Sequence, residues 1–297
     1  MKIKNLVVIG LIILLVAVAA YFFLADGEKP VPLRAASIEP APLPVTPEPL
    51  MTLEPFPVTP GPWPESAPEP AEPAAAEHLQ PSLPTTAFEK PVILYPIESW
   101  PSDKPLPGLA ESDAPFRNAL GEVIGKSGLS LLFSDELIYH LVVTIDNLPR
   151  QYLPASIVPL KRAANSFMVA GKEETLTIDA RNVNRYSVYM TVAKATDSAK
   201  LVNLYRRHYP LFQNAYREIG YGNANFNDRL VAAIDDLIAA PVFQAPVQLA
   251  QPKVLYEYAN PDLESRSAGQ KIMMRIGTEN AVILKAKLDE IRRLIAR

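Results

Sequence analysis

Apolar residues are arranged in three different ways along this chain. Residues 6–24 read Leu-Val-Val-Ile-Gly-Leu-Ile-Ile-Leu-Leu-Val-Ala-Val-Ala-Ala-Tyr-Phe-Phe-Leu with no charge among them. As a helix rising about 1.5 Å per residue, the run spans roughly 28 Å, close to the hydrocarbon thickness of a bilayer, so it predicts a membrane anchor. Residues 25–108 show no period at all. From about Leu109 the spacing of a globular domain appears.

In that last region, Ser112-Asp113-Ala114-Pro115 reads as a capped helix start, running to about Gly121 or Gly125. Ser134-Asp135-Glu136 reads as the cap of a second helix. Its Leu137, Ile138, Leu141, Ile145 and Leu148 share one face before Pro149. A hairpin is predicted from residues 167–170, a turn at 171–174 and alternating residues 175–178. Helices follow at 182–195, 197–219, 227–239, 261–276 and 278–295, with 247–258 extended or weakly strand-like. The predicted class is mainly α: a helical globular domain with a small β-hairpin or extended element, preceded by one transmembrane helix and a disordered Pro-rich tether.

Charge gives the anchor a direction. Lys2 and Lys4 precede it and Asp26 and Glu28 follow, so the positive-inside rule keeps residues 1–5 in the cytoplasm and sends residues 25–297 to the periplasm. A cleaved signal peptide is the competing reading, through Ala17-Val18-Ala19. That site lies inside the apolar run, with Tyr21-Phe22-Phe23-Leu24 still to come, which favours a retained inner-membrane anchor. The chain has no cysteine, so lipoprotein modification and disulfides are excluded.

The tether, residues 25–108, contains 22 of the 31 prolines, all between Pro30 and Pro107, and has 4 Lys/Arg against 12 Asp/Glu. That composition cannot bury enough apolar surface to offset ordering entropy. Polyproline II at about 3.1 Å per residue gives an extended reach on the order of 200 Å. The segments 44–50 and 57–63 repeat a Pro-x-x-Pro pattern that low-complexity drift also explains. Residues 88–100 are more apolar, with Val92-Ile93-Leu94-Tyr95 a candidate for docking on the domain or on a partner.

Residues 109–297 have 23 Lys/Arg against 20 Asp/Glu, a balance that argues against nucleic-acid binding. Gly121-Glu-Val-Ile-Gly125-Lys126-Ser127 mimics a nucleotide-binding loop. It has three residues where that loop needs four and a helix where it needs a strand, so no nucleotide is expected. His78 lies in the tether, and His140 and His208 sit on separate predicted helices with no ligand spacing. No metal or other cofactor is expected. The Gly128-Leu-Ser130-Leu-Leu132 segment lacks the second glycine of a nucleophile elbow. Asp235, Asp236, Asp262 and Glu264 are candidates for paired-carboxylate chemistry on a glycan.

Two features mark candidate binding surface. Tyr205, Tyr209, Phe212 and Tyr216 recur at helical spacing with Arg206, Arg207 and Arg217 between them. Core packing explains the ladder; the alternative uses tyrosine faces and arginine forks, with Tyr205, Arg207 and Tyr209 holding a peptide, a glycan or a partner's carboxylates. The second feature is the polar set Asp146, Asn147, Arg150, Asn227, Asp228, Arg229, Glu264, Arg266 and Gln270, which forms either a structural network or a site. Asn225 or Asn227 can cap the helix that follows, and Ser265, Ala268 and Gly269 suit close helix packing.

Four segments resemble a known bacterial family: Val-Thr-Ile-Asp-Asn-Leu-Pro-Arg at 143–150, Leu-Tyr-Arg-Arg-His-Tyr-Pro-Leu-Phe at 204–212, Phe-Asn-Asp-Arg-Leu at 226–230, and Val-Leu-Tyr-Glu-Tyr-Ala-Asn-Pro-Asp-Leu-Glu-Ser-Arg-Ser-Ala-Gly-Gln-Lys at 254–271. The family is called domain of unknown function 3014, and the resemblance covers about residues 109–297. It implies an anchored protein with a Pro-rich linker, and it transfers no catalytic residue. The leading expectation is a non-catalytic envelope module that presents a helical domain to a partner protein or to peptidoglycan. The alternative is an enzyme acting on peptidoglycan or another glycan through paired carboxylates.

Overall fold

The computed structural model describes residues 92–98, 105–133 and 135–297. The predicted anchor at 6–24 and most of the tether lie outside the described residues. Among the described residues no helix is long and apolar enough to cross a membrane. They form eight α-helices and two small hairpins. In chain order these are α1 (Asp113–Leu129), α2 (Leu137–Asn147), β1 (Val169–Ala170), β2 (Thr177–Ile178), α3 (Ser187–Ala195), α4 (Ser198–Glu218), α5 (Phe226–Ile238), β3 (Leu249–Ala250), β4 (Glu257–Tyr258), α6 (Pro261–Glu264), α7 (Ala268–Arg275) and α8 (Thr278–Ile295). The class is mainly α with a minor β component, as the hydrophobic spacing predicts.

The long amphipathic helices organise the core. Helix α4 packs on α1, α2 and α8, and α5 packs on α2, α7 and α8. Asp197 caps α4 by accepting hydrogen bonds from the backbone of Ala199 and Lys200. The helix runs unbroken through Pro210. Leu204, Tyr205 and Tyr209 before the proline and Leu211, Phe212, Ala215 and Tyr216 after it are all buried, which offsets the hydrogen bond the proline ring cannot donate.

Local signals mislead at four places. Helix α1 passes Gly121 and takes non-helical angles at Gly125 (φ 63°, ψ 176°), then resumes to Leu129. At the start of helix α2 the N-cap residue is Glu136, whose side chain makes no capping hydrogen bond. Glu136 is left-handed at φ 48°, and the carboxylate of Asp113 accepts the N–H groups of Glu136 (2.6 Å) and Leu137 (2.8 Å) from the start of α1. The helix predicted over 261–276 is two helices. Ser267 caps α7 by accepting from the Gln270 N–H at 3.0 Å, half of a Ser-x-x-Gln capping box. The segment predicted as one helix from 182 begins as a 3-10 helix, Ala180–Tyr186.

The break before α7 has a structural use. The free N–H groups of Ala268 and Gly269 donate to the carbonyls of Arg150 (2.7 Å) and Leu148 (2.9 Å), so the start of α7 caps the end of α2. Gly269 is needed there because of close approach. A Cβ at this position would lie 2.7 Å from Leu237 Cδ2 and 3.2 Å from the Leu148 oxygen. Gly269→Val is expected to lower stability by about 1–3 kcal/mol through overpacking, read as a lower denaturant midpoint with an unchanged slope.

The hairpins pair as Val169↔Ile178 and Leu249↔Tyr258, both antiparallel, and join edge to edge through Ile178 N–H to Val247 O and Leu249 N–H to Leu176 O. They cover a second, smaller core of Leu249, Tyr258 and Met274, flanked by Phe167, Val169, Leu176 and Phe243.

Candidate functional site

The polar set predicted from sequence divides into groups once its helices are placed. Asp146 lies in the last turn of α2, its side chain 4 % exposed and facing α5. Its carboxylate accepts from Arg150 Nη2 (2.6 Å), Arg229 Nε (2.9 Å) and the Tyr221 hydroxyl (3.1 Å). Arg229 Nη2 also donates to the Asp146 backbone carbonyl, and Arg150 Nη2 to the Tyr221 oxygen. The Tyr221 ring stacks on Tyr216 at 4.4 Å between centroids. Asn147 turns away and donates to Val143 O in its own helix.

Further along α5, Asp236 faces α7. Its carboxylate accepts from the Ser267 hydroxyl (2.6 Å) and from Gln270 Nε2 (2.9 Å), while Arg266 Nη1 donates to Gln270 Oε1 (2.9 Å). The Arg266 Nε is buried with no hydrogen-bond partner. Burial raises the Asp236 carboxyl above its ordinary value, and the Ser267 and Gln270 hydrogen bonds and the charges of Arg229 and Arg266 act against that rise. The structure therefore gathers Asp146, Arg150, Arg229, Arg266 and Gln270 at one junction of α2, α5 and α7, with three guanidinium groups around two carboxylates.

A carboxyl raised in the folded state binds its proton more tightly there than in the unfolded chain. Its penalty on stability appears as pH rises from the unfolded value of 3.8 through the raised one. Asp236→Asn keeps an acceptor for Gln270 and can donate to Ser267. At about pH 7 it is expected to match or exceed the unaltered protein in denaturant midpoint, with any advantage shrinking as pH falls toward the carboxylate range.

The remaining candidates lie elsewhere. Glu264 accepts from Lys271 Nζ (3.0 Å) and the Tyr258 N–H (2.9 Å), tying α6 to α7 and β4. Tyr205 and Tyr209 are buried in the core, not displayed. The Tyr205 hydroxyl donates to Asn227 and that of Tyr209 to Gln213. Burial pushes the Tyr205 phenol well up, and that of Tyr216 to about 12. Arg207 is the member of that trio on the surface. Asn225, not Asn227, caps α5. Asn227 is fully buried and, with Asp228, holds residues 94 and 95 of the Pro-rich tract.

His140 Nδ1 lies 3.0 Å from the Ile157 carbonyl, and His208 is buried with its ring edge-on to Phe116. Burial lowers the His208 pKa.

Three cavities bear on function. A gap of about 30 Å³ inside the core has wholly apolar walls, including Leu120, Leu141, Phe212 and Phe226, and is a packing void that stays dry. An open groove of about 250 Å³ runs between residues 241–247, the 3-10 turn at Asp179 and the start of α8. Its carboxylate, Asp179, is held down to about 2 by hydrogen bonds from Arg181. A cleft of about 230 Å³ lies beside the α1–α2 connection, with Asp113, Glu136, Tyr139 and Glu218 among its walls.

The junction residues, the capping Ser267, and Asn227 and Asp228 all fall within residues 137–292. A family model described as "Protein of unknown function (DUF3014)" matches that span. The chain belongs to this family. No curated protein and no solved structure matches it. In this DUF3014 chain the match begins at the first residue of α2 and ends in α8, so α1 and residues 92–98 lie outside it.

Sequence reasoning missed Tyr221, Ser267 and the role of Asp236 in the junction. Ser267 was legible, because Ser-x-x-Gln is a helix-start signal. Tyr221 follows the helix-ending Gly220 (φ 105°) and gives no periodic signal of its own.

Proposed function

We propose that this DUF3014 protein is a non-catalytic module of the bacterial envelope. Residues 6–24 anchor it in the inner membrane with the N-terminus in the cytoplasm, and the tether carries the helical domain into the periplasm. There it binds a partner protein or the cell wall. The observation that supports binding over catalysis is the engagement of three of the four nominated carboxylates; the fourth, Asp262, is exposed on α6. Asp235 pairs with Arg292 on α8, Asp236 takes Ser267 and Gln270 on the opposite side, and Glu264 holds Lys271. The members of the candidate set left at the surface are arginines, Arg150 with a side chain 51 % exposed and Arg207. Arginine does not release its proton in proteins, so it offers charge and forked donors for recognition rather than acid–base chemistry.

The glycan-acting alternative is favoured by one specific observation, the cleft with Asp113, Glu136 and Glu218. Asp113 is occupied in capping α2, which leaves Glu136 and Glu218 as its exposed carboxylates. Incubating the purified full-length protein with peptidoglycan separates the two readings. The binding module releases no soluble fragments; fragments that disappear with Glu136→Gln or Glu218→Gln would establish the enzyme instead.

A further inference from the structure

We infer that the end of the domain formed by Asn227, Asp228 and the close of α8 is a docking site for an extended peptide. The chain fills it with its own residues 94–97, a latch whose opening lengthens the tether. Composition assigns these residues to the Pro-rich tract, yet they are bonded to the helical body. The Asp228 carboxylate accepts two successive backbone donors, Leu94 N–H at Oδ2 (3.1 Å) and Tyr95 N–H at Oδ1 (2.8 Å). Asn227 Nδ2 donates to the Tyr95 carbonyl (2.9 Å) and to the Ile295 carbonyl (3.0 Å), and its Oδ1 accepts from Tyr205. One fully buried asparagine thus ties the docked segment to α4, α5 and α8. Tyr95 and Ile97 pack against the main core, and the Tyr95 phenol lies within reach of Arg292.

The arrangement is one of recognition rather than simple continuity of fold. The clamp addresses main-chain groups, as a sheet edge does when it binds an extended peptide, and side-chain selection rests on Tyr95 and Ile97. The same device recurs at Asp113, whose carboxylate spans the N–H groups of Glu136 and Leu137. Val92, Ile93 and Leu94 remain exposed at 81 %, 50 % and 67 %, so the docked segment is attached along one edge only. A segment whose main chain is held, among the described residues, by three hydrogen bonds, with two half-buried side chains, opens locally without unfolding the helices beneath it. Opening frees the chain between Tyr95 and Leu106, which packs against the main core, up to about 30 Å of added reach at about 3.1 Å per residue. It also moves the point where the tether leaves the body from the start of α5 to the start of α1.

The absence of cysteine in the chain makes a spin-label distance measurement direct. Labels on cysteines introduced by Val92→Cys and Val282→Cys, both exposed positions, report the latch in the detergent-solubilised full-length protein. A single narrow distribution is expected, broadening and lengthening with Asp228→Ala. Leu94→Pro removes one of the clamped N–H donors without touching the helical body and is expected to broaden it as well. Amide exchange tests release: in mild denaturant the Leu94 and Tyr95 amides exchange at least tenfold faster than buried amides of α4 and α5. A distribution already broad in the unaltered chain, or unmoved by both substitutions, overturns the docking. Exchange of the two amides only through global unfolding overturns the latch.

Discussion

Phe226→Ala is expected to cost about 3–5 kcal/mol, enough to unfold a large fraction of a domain of ordinary stability. Phe226 has no exposed surface. Its ring stacks on Phe212 (centroids 5.8 Å apart, 17° between planes) and meets Tyr216 at 5.4 Å and Tyr205 at 6.4 Å. It also borders the existing apolar void of about 30 Å³. Truncation merges the new space with that void, and large aromatic neighbours collapse poorly into such a gap, which puts the effect toward the upper end of the range. Chemical denaturation followed by far-ultraviolet circular dichroism checks it, and a loss below about 1.5 kcal/mol would contradict this packing.

Asp146→Ala is expected to cost about 2–4 kcal/mol, less than the fullest penalty for breaking a buried ion pair. The substitution leaves Arg229, Arg150 and Tyr221 facing one another without their shared acceptor. Arg150 is half exposed and can turn its charge to water, which reduces the loss, whereas Arg229 is more enclosed at 26 % side-chain exposure. Asp146→Asn retains one acceptor oxygen and should fall between the two proteins. The pairing itself is read from a double-mutant cycle with Arg229→Ala, whose cost on the Asp146→Ala background should be much smaller than on the unaltered one. Equal costs on the two backgrounds would mean that the two side chains are not coupled.

These two positions show how differently core and site are encoded. Phe226 belongs to an amphipathic helix whose apolar residues repeat locally, so α4, α5 and α8 are legible within a residue or so of their ends. What escapes a local reading is a cap supplied from far along the chain. Asp113 sits 23 residues before Glu136, and Ala268 and Gly269 close the end of a helix more than a hundred residues earlier. The predicted polar set was chemically apt but spatially divided. Asp146, Arg150, Arg229, Arg266 and Gln270 meet at one junction, Asn227 and Asp228 hold residues 94 and 95, and Glu264 braces α6 against α7. Helical spacing identifies which residues share a face and does not identify which faces meet. Tyr205 and Tyr209 carry the same lesson, since periodic tyrosines fit a core stripe or a display surface equally well, and here they pack inward.

The docked residues 94–97 are the least legible feature of all. Their neighbours are prolines and acidic residues, and nothing within the segment predicts that a carboxylate 134 positions from Leu94 will take its N–H. The apolar cluster Val92-Ile93-Leu94-Tyr95 hints at docking. The partner is specified by Asn227 and Asp228, at the far side of the sequence.

Presentation of the domain in the envelope, to bind through its surface arginines, is tested most directly by site-specific photocrosslinking in living cells. Crosslinkers at Gln151, next to Arg150, and at Asn203, one turn from Arg207, leave both arginines in place and are compared with one at Val188, an exposed position on α3. A defined adduct, with an envelope protein or with peptidoglycan, is expected from Gln151 or Asn203 of the anchored chain, and none from Val188. Equal labelling from all three positions, or no adduct from either position beside an arginine, would contradict it.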